Sequence, residues 1–172
     1  MIRDRFRYPN TVDENAARLI AGGVVLVSVA YLTTANVVLL AFLAYGFVAR
    51  VLAGPSFSPL AQFVNRILLP WLSVPAKPVP GPPKRFAQGI GAVLSVGALG
   101  STLAGLNPLA TVLVAVIAGA ATLESVFAFC IGCRIFAVLM SVGLVPASVC
   151  EACSDLSKAP LPKRSSTGSS TR

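Results

Sequence analysis

From Leu19 to Ala49 the chain runs for 31 residues without a charge, and this feature constrains the fold more than any other. As one helix the stretch would be about 46 Å long, well beyond a hydrocarbon core about 30 Å thick. It must fold back on itself. Thr33, Thr34 and Asn36 form its polar cluster, which divides it into spans of about 16–33 and 36–52. A second uncharged stretch, Phe86 to Leu123, is broken by Asn107 and Pro108, where proline suits the first turn of a new helix. It predicts spans of about 86–106 and 109–129. The expected fold class is an all-α integral membrane protein of four transmembrane helices arranged as two hairpins.

Composition agrees: 55% of the 172 residues are hydrophobic and 12% are charged, about half the charge of an ordinary soluble domain. Mean hydropathy is +0.79. The absence of histidine excludes Ser-His-Asp and Cys-His nucleophile systems, His-bearing zinc hydrolases and histidine pH switches. The net charge of +8 is scattered between apolar spans, so lipid headgroups are the expected partner and nucleic acid is not.

Lysine and arginine near span ends stay on the cytoplasmic side. Arg3, Arg5, Arg7 and Arg18 precede span 1; Arg50, Arg66, Lys77, Lys84 and Arg85 lie between spans 2 and 3; Arg134, Lys158, Lys163, Arg164 and Arg172 follow span 4. The two hairpin tips carry none. The expected localisation is therefore the bacterial cytoplasmic (inner) membrane, multi-pass, with both termini inside and no removable signal peptide. A fifth span over about 127–146 competes, but it would bury Arg134 and export Lys158, Lys163 and Arg164.

Thr11-Val12-Asp13-Glu14 reads as a capping box opening span 1. Leu60, Phe63, Val64, Ile67, Leu68 and Trp71 share one helical face, predicting an amphipathic interfacial helix over about 59–69, started by Ser58-Pro59 and ended at Pro70. Five prolines between Pro75 and Pro83 predict a stiff extended connector. Gly97, Ser101 and Gly105, with Ala115 and Gly119, form small-residue stripes expected to pack the bundle internally, with a homo-oligomer as the other use. The organisation is thus a single membrane domain over 1–156 and a disordered cytoplasmic tail over 157–172.

The cysteines fall as two CxxC pairs, Cys130/Cys133 and Cys150/Cys153, within a segment spanning 130–153. Their separation suits a four-thiolate zinc or copper site, but the spacer is apolar and lacks the turns of a zinc knuckle. The short spacer keeps both pairs on the cytoplasmic side, where a reducing environment leaves metal ligation, reversible thiol redox or inert thiols. Leu109 to Val145 as one rod would be about 55 Å long, so the helix must break, with Gly132 as the local candidate. A helix starting near Cys133 would make Cys130, beside Arg134, the more nucleophilic thiol. Glu124 is the acidic residue within a predicted span, expected to form a buried pair with Arg18, Arg50 or Arg134 or to be protonated, and otherwise a candidate functional carboxylate.

Tyr8-Pro9-Asn10 with Val12-Asp13-Glu14 and Ala17-Arg18, Ala53-Gly54-Pro55 with Phe57-Ser58-Pro59-Leu60, Gly81-Pro82-Pro83-Lys84-Arg85-Phe86-Ala87-Gln88-Gly89, and Leu123-Glu124-Ser125 with Phe129-Cys130-Ile131-Gly132-Cys133 together resemble the uncharacterised bacterial membrane family known as domain of unknown function 4395. The likeness covers about 5–156, with Tyr8 where the family has Phe. It implies a small integral membrane protein of no established activity, and a thioredoxin-like or sulfurtransferase partner. The expected function is a cytoplasm-facing thiol redox or sulfur-relay protein using Cys130 and Cys133. The alternatives are a membrane-tethered metal site of Cys130, Cys133, Cys150 and Cys153, and a structural anchor for a cytoplasmic enzyme.

Overall fold

A computed structural model describes residues 11–54, 57–72 and 75–144. Cys150, Cys153 and the tail expected to be disordered lie outside these residues. Strand β1 (Thr11–Asp13) leads into α1 (Glu14–Thr34) and α2 (Val37–Ala53). A helical segment follows, made of α3 (Pro59–Phe63), a π-helical turn (Val64–Leu68) and α4 (Leu69–Leu72). Strand β2 (Pro78–Pro80) then opens α5 (Gly81–Leu103), α6 (Asn107–Phe127) and α7 (Ile131–Ser141).

Three helices, α1, α5 and α6, are long and apolar enough to cross a membrane; α2, of 17 residues, is apolar but shorter, and α7 has 11. The four longer helices close a ring in which α1 packs on α6 and α2, and α5 packs on α2 and α6. Ala21, Val24, Leu40, Leu43, Ala98, Ala110, Val114 and Ile117 fill its centre. The small core residues make room for larger side chains, most clearly at Gly91, where an added Cβ would lie 2.3 Å from the Phe47 ring. The stripes expected to do this packing contribute little to it: Gly105, Ala115 and Gly119 are exposed, Ser101 is half-buried, and Gly97, though exposed, faces Leu113 of α6. Four-residue spacing marks a face but not its direction, and the bundle turns Gly91, Ser95 and Ala98 inward on α5 instead.

Two entry features differ from expectation. Asp13, not Thr11, caps α1, its carboxylate accepting from Asn15 N–H at 2.9 Å, because Thr11–Asp13 is drawn into an antiparallel ribbon with Pro78–Pro80. Prolines cannot donate to a ladder, which confines β2 to a two-stranded edge. The proline connector is therefore extended, as expected, but it is also stapled to the start of α1. Glu14 pairs with Lys77 at 2.7 Å, Glu14 N–H donates to Lys77 O, and Asn15 Nδ2 donates to Pro75 O at 3.0 Å. Pro82 and Pro83 then sit in the first turn of α5, where missing N–H groups cost nothing.

The 59–72 segment runs through Pro70 to Leu72. A proline ring crowds the carbonyl four residues earlier, and the wide π-helical turn over Val64–Leu68 accommodates it. Its apolar face is split. Ala61 and Val64 are buried and Leu60 fits against Gly23 of α1, whereas Phe63, Ile67 and Trp71 are exposed.

Candidate functional site

The ribbon, the start of α5, the end of α6 and α7 converge on Cys130 and Cys133. The chain reaches them through a sharp break at Ala128, which adopts a left-handed conformation (φ 54°) while Phe129 N–H donates to Leu123 O at 3.2 Å. Ala128 N–H donates to the same carbonyl, so the helix ends in a left-handed cap wider than a Schellman turn. The break falls four residues before Gly132, the expected position, and Gly132 serves a different purpose inside α7. An added Cβ there would lie 2.5 Å from Ala87 Cβ and 2.6 Å from Ala87 Cα. Glycine alone lets α7 lie against α5, and the Phe86 and Phe136 rings, 5.6 Å apart, close the contact one turn on. Arg18 fixes the end of α6 from outside: Nε donates to Ser125 O and Nη2 to Val126 O, both at 3.1 Å, satisfying carbonyls that a helix end leaves orphaned.

Cys130 is the N-cap residue of α7, in extended conformation, with its carbonyl accepting from Arg134 N–H at 3.2 Å. Cys133 follows within the first turn. The neighbouring Cys133 thiol is the main influence pulling the Cys130 pKa down to about 7. Burial and the Glu124 carboxylate oppose the shift, while the Cys133 backbone N–H and the Lys84 ammonium assist it. Cys133, which holds the shared proton and is itself buried, is pushed far above the ordinary thiol range. The pair is therefore asymmetric, with Cys130 the more acidic thiol. Both thiols are free and half-buried.

The charge beside Cys130 is not the one the spacing suggested. Arg134 turns away and stacks over the Phe129 ring at 5.2 Å. Lys84 takes its place, with Nζ on Glu124 Oε1 at 2.5 Å and only 12% and 21% of the two side chains exposed. Glu124 therefore pairs with a lysine rather than with Arg18, Arg50 or Arg134. Each arginine is otherwise engaged: Arg18 on the α6 carbonyls, Arg50 over the Phe47 ring at 4.5 Å, Arg134 on Phe129. Lys84 is the site-lining partner that sequence reasoning missed. The available signal was the α5–α6 hairpin, which brings the first turn of α5 beside the last turns of the helix that follows it.

Two cavities meet at this pair. One of about 280 Å³ is lined by Glu14, Pro83, Lys84, Cys130, Cys133 and Arg134. The other, of about 1010 Å³, lies between the helices and is lined in part by Arg50, Lys84, Gln88, Gly119, Glu124 and Cys130. Among the described residues no three His, Cys, Asp or Glu side chains cluster as a metal site; the other half of the four-thiolate set lies outside them.

A helical ring with three membrane-length apolar helices, carrying a CxxC pair at the start of a short helix after them, defines the class. Within it the chain belongs to the family described as Domain of unknown function (DUF4395), matched over residues 12–141. No curated protein and no solved structure matches it.

Proposed function

We propose that the protein is a four-span protein of the cytoplasmic membrane, with α1, α2, α5 and α6 as spans and both termini inside, whose Cys130–Cys133 pair exchanges disulfide or sulfane sulfur with a cytoplasmic thioredoxin-like or sulfurtransferase protein. The observation that carries this reading is the asymmetric dithiol: Cys130 at a helix N-cap, its thiol lowered to about 7 by Cys133 and assisted by Lys84. A thiolate is the attacking species in sulfur exchange, and a lowered pKa at a helix start is the usual means of supplying it at neutral pH. The topology is supported by charge placement. Charged side chains come from the starts of α1 and α5, the ends of α2 and α6, α7 and the connecting segments, while the opposite turns, around 35–36 and 104–106, have none. In this orientation the exposed edge of Phe63, Ile67 and Trp71 lies at headgroup depth.

Anaerobically purified Cys133→Ser protein tests the reading. Exchange chemistry leaves Cys130 without its resolving thiol and traps a mixed disulfide or persulfide on Cys130, identified by mass spectrometry. About one zinc or copper per chain, with all four cysteines protected from alkylation together, supports the four-thiolate alternative instead. Slow, uniform alkylation with neither outcome leaves a structural anchor with inert thiols.

A further inference from the structure

Cys130 and Lys84 line both cavities, so the nucleophilic thiol stands in the wall between them. Access from two directions is what a relay needs and a simple thiol exchanger does not. The larger cavity is built for an apolar molecule. Val24, Phe47, Ile90, Leu94 and Ile117 line its depth, and it reaches the surface between α6 and α7, where Val116, Leu123, Ile131 and Ile135 are exposed. Such an opening admits a solute from the acyl-chain region more readily than from water. At the end near the thiols the lining turns polar, with Lys84, Gln88, Glu124 and Arg50. Gln88 Oε1 is buried in this wall without a hydrogen-bond partner, and a buried acceptor calls for a donor.

We propose that the larger cavity binds a lipid-soluble quinone, which takes two electrons from the reduced Cys130–Cys133 pair. The inference rests on the thiol-exchange reading above and names its second substrate. A quinone supplies the apolar ring and tail that the cavity lining suits, carbonyl oxygens for the Lys84 ammonium, and on reduction a hydroxyl that Gln88 Oε1 accepts. The step balances as follows. The Cys130 thiolate and the Cys133 thiol lose two electrons and form the S–S bond; the quinone gains the two electrons, the Cys133 proton and one further proton passed along Lys84 from water, and leaves as the quinol. A cytoplasmic dithiol then reduces the S–S bond by exchange from the smaller cavity, becoming oxidised itself.

The test uses full-length protein in lipid nanodiscs, reduced, freed of reductant under anaerobic conditions and mixed with decylubiquinone, whose fully substituted ring resists direct thiol addition. The expected result is one quinol formed and two thiols lost per chain, with Cys130→Ser forming none. Gly119→Trp, placed where an added Cβ meets nothing within 4 Å, should fill the cavity and slow quinol formation at least tenfold. Decylubiquinol, which cannot oxidise the pair, should also shield Cys130 of the reduced wild-type protein from a bulky maleimide, a measurement that needs no variant to fold. The same preparation is assayed for exchange with glutathione disulfide. Exchange without quinol formation and without shielding overturns the quinone site and leaves the thiol reading intact. Failure of exchange itself overturns the reading on which the quinone site rests.

Discussion

The two ends of the helical ring handle polar groups in opposite ways. At the end formed by the α1–α2 and α5–α6 turns, hydroxyls bond backward to their own helices: Thr33 to Val29 O and Ala30 O, Thr34 to Ala30 O, Ser101 to Gly97 O, Thr111 to Asn107 O. Tyr31 and Thr102 make the cross-helix link there, at 3.2 Å. At the other end Thr122 also bonds back, to Ala118 O, but most polar contacts join distant parts of the chain, as in Glu14 with Lys77, Arg18 with Ser125, Arg85 with Val51 and Lys84 with Glu124. Local bonds close a helix wherever it ends. Long-range charged contacts fix separate helices relative to one another, and they surround the two cysteines.

The comparison breaks most visibly at Lys84. Lys84→Met leaves the Glu124 carboxylate half-enclosed without its partner and should cost about 3 kcal/mol of stability in detergent, since breaking a buried pair strands a charge. Adding Glu124→Leu should return the protein to within about 1 kcal/mol of wild type, because an apolar pair of similar volume replaces an ion pair without penalty. Chemical unfolding of the two variants measures this, and equal losses in both would show that the pair is not coupled.

Gly132→Ala should rank next. The added methyl meets Ala87 Cβ and Cα within 2.6 Å, and backbone on one side cannot yield, so α7 must move off α5 at a cost of about 1–3 kcal/mol. Because Cys130 caps α7, its alkylation rate at pH 7 should change severalfold as well. A stable variant with unchanged Cys130 kinetics would mean that α7 docking does not set the thiol's environment.

The smallest effect belongs to the opposite end. Thr102→Val removes the Tyr31 link and should cost about 1 kcal/mol while leaving Cys130 alkylation as in wild type. A change in thiol reactivity there would contradict the separation of the two ends.

What the sequence made legible follows the same division. The turns at Thr33–Asn36 and Asn107–Pro108 were readable because loss of hydrophobicity and proline placement act locally, and the observed helices end within a few residues of the expected limits. The sequence alone puts Cys130 at the end of span 4, with a new helix only conditionally starting near Cys133; the observed helix starts at Ile131. The pairing of Thr11–Asp13 with Pro78–Pro80 was not, since strand register between segments so far apart leaves no local trace and proline argues against a strand. Lys84 counted only as one more basic residue between spans, because nothing local says that the first turn of α5 lies beside the last turns of α6. Gly132 looked like a helix breaker; its role depends on Ala87 across the packing interface. Family membership over residues 12–141 came through motifs that name positions without naming roles.

The central proposal, that Cys130 is a nucleophile at neutral pH and Cys133 its proton-holding partner, is tested most directly by the pH dependence of Cys130 alkylation by iodoacetamide, in protein carrying Cys150→Ser and Cys153→Ser and resolved by peptide mass spectrometry. Only the thiolate reacts. A folded-state pKa near 7 therefore gives a rate that is low in acid, half-maximal near pH 7 and level above about pH 8, with Cys133 reacting far more slowly throughout. A Cys130 rate still climbing through pH 9, or Cys133 reacting first, would contradict it.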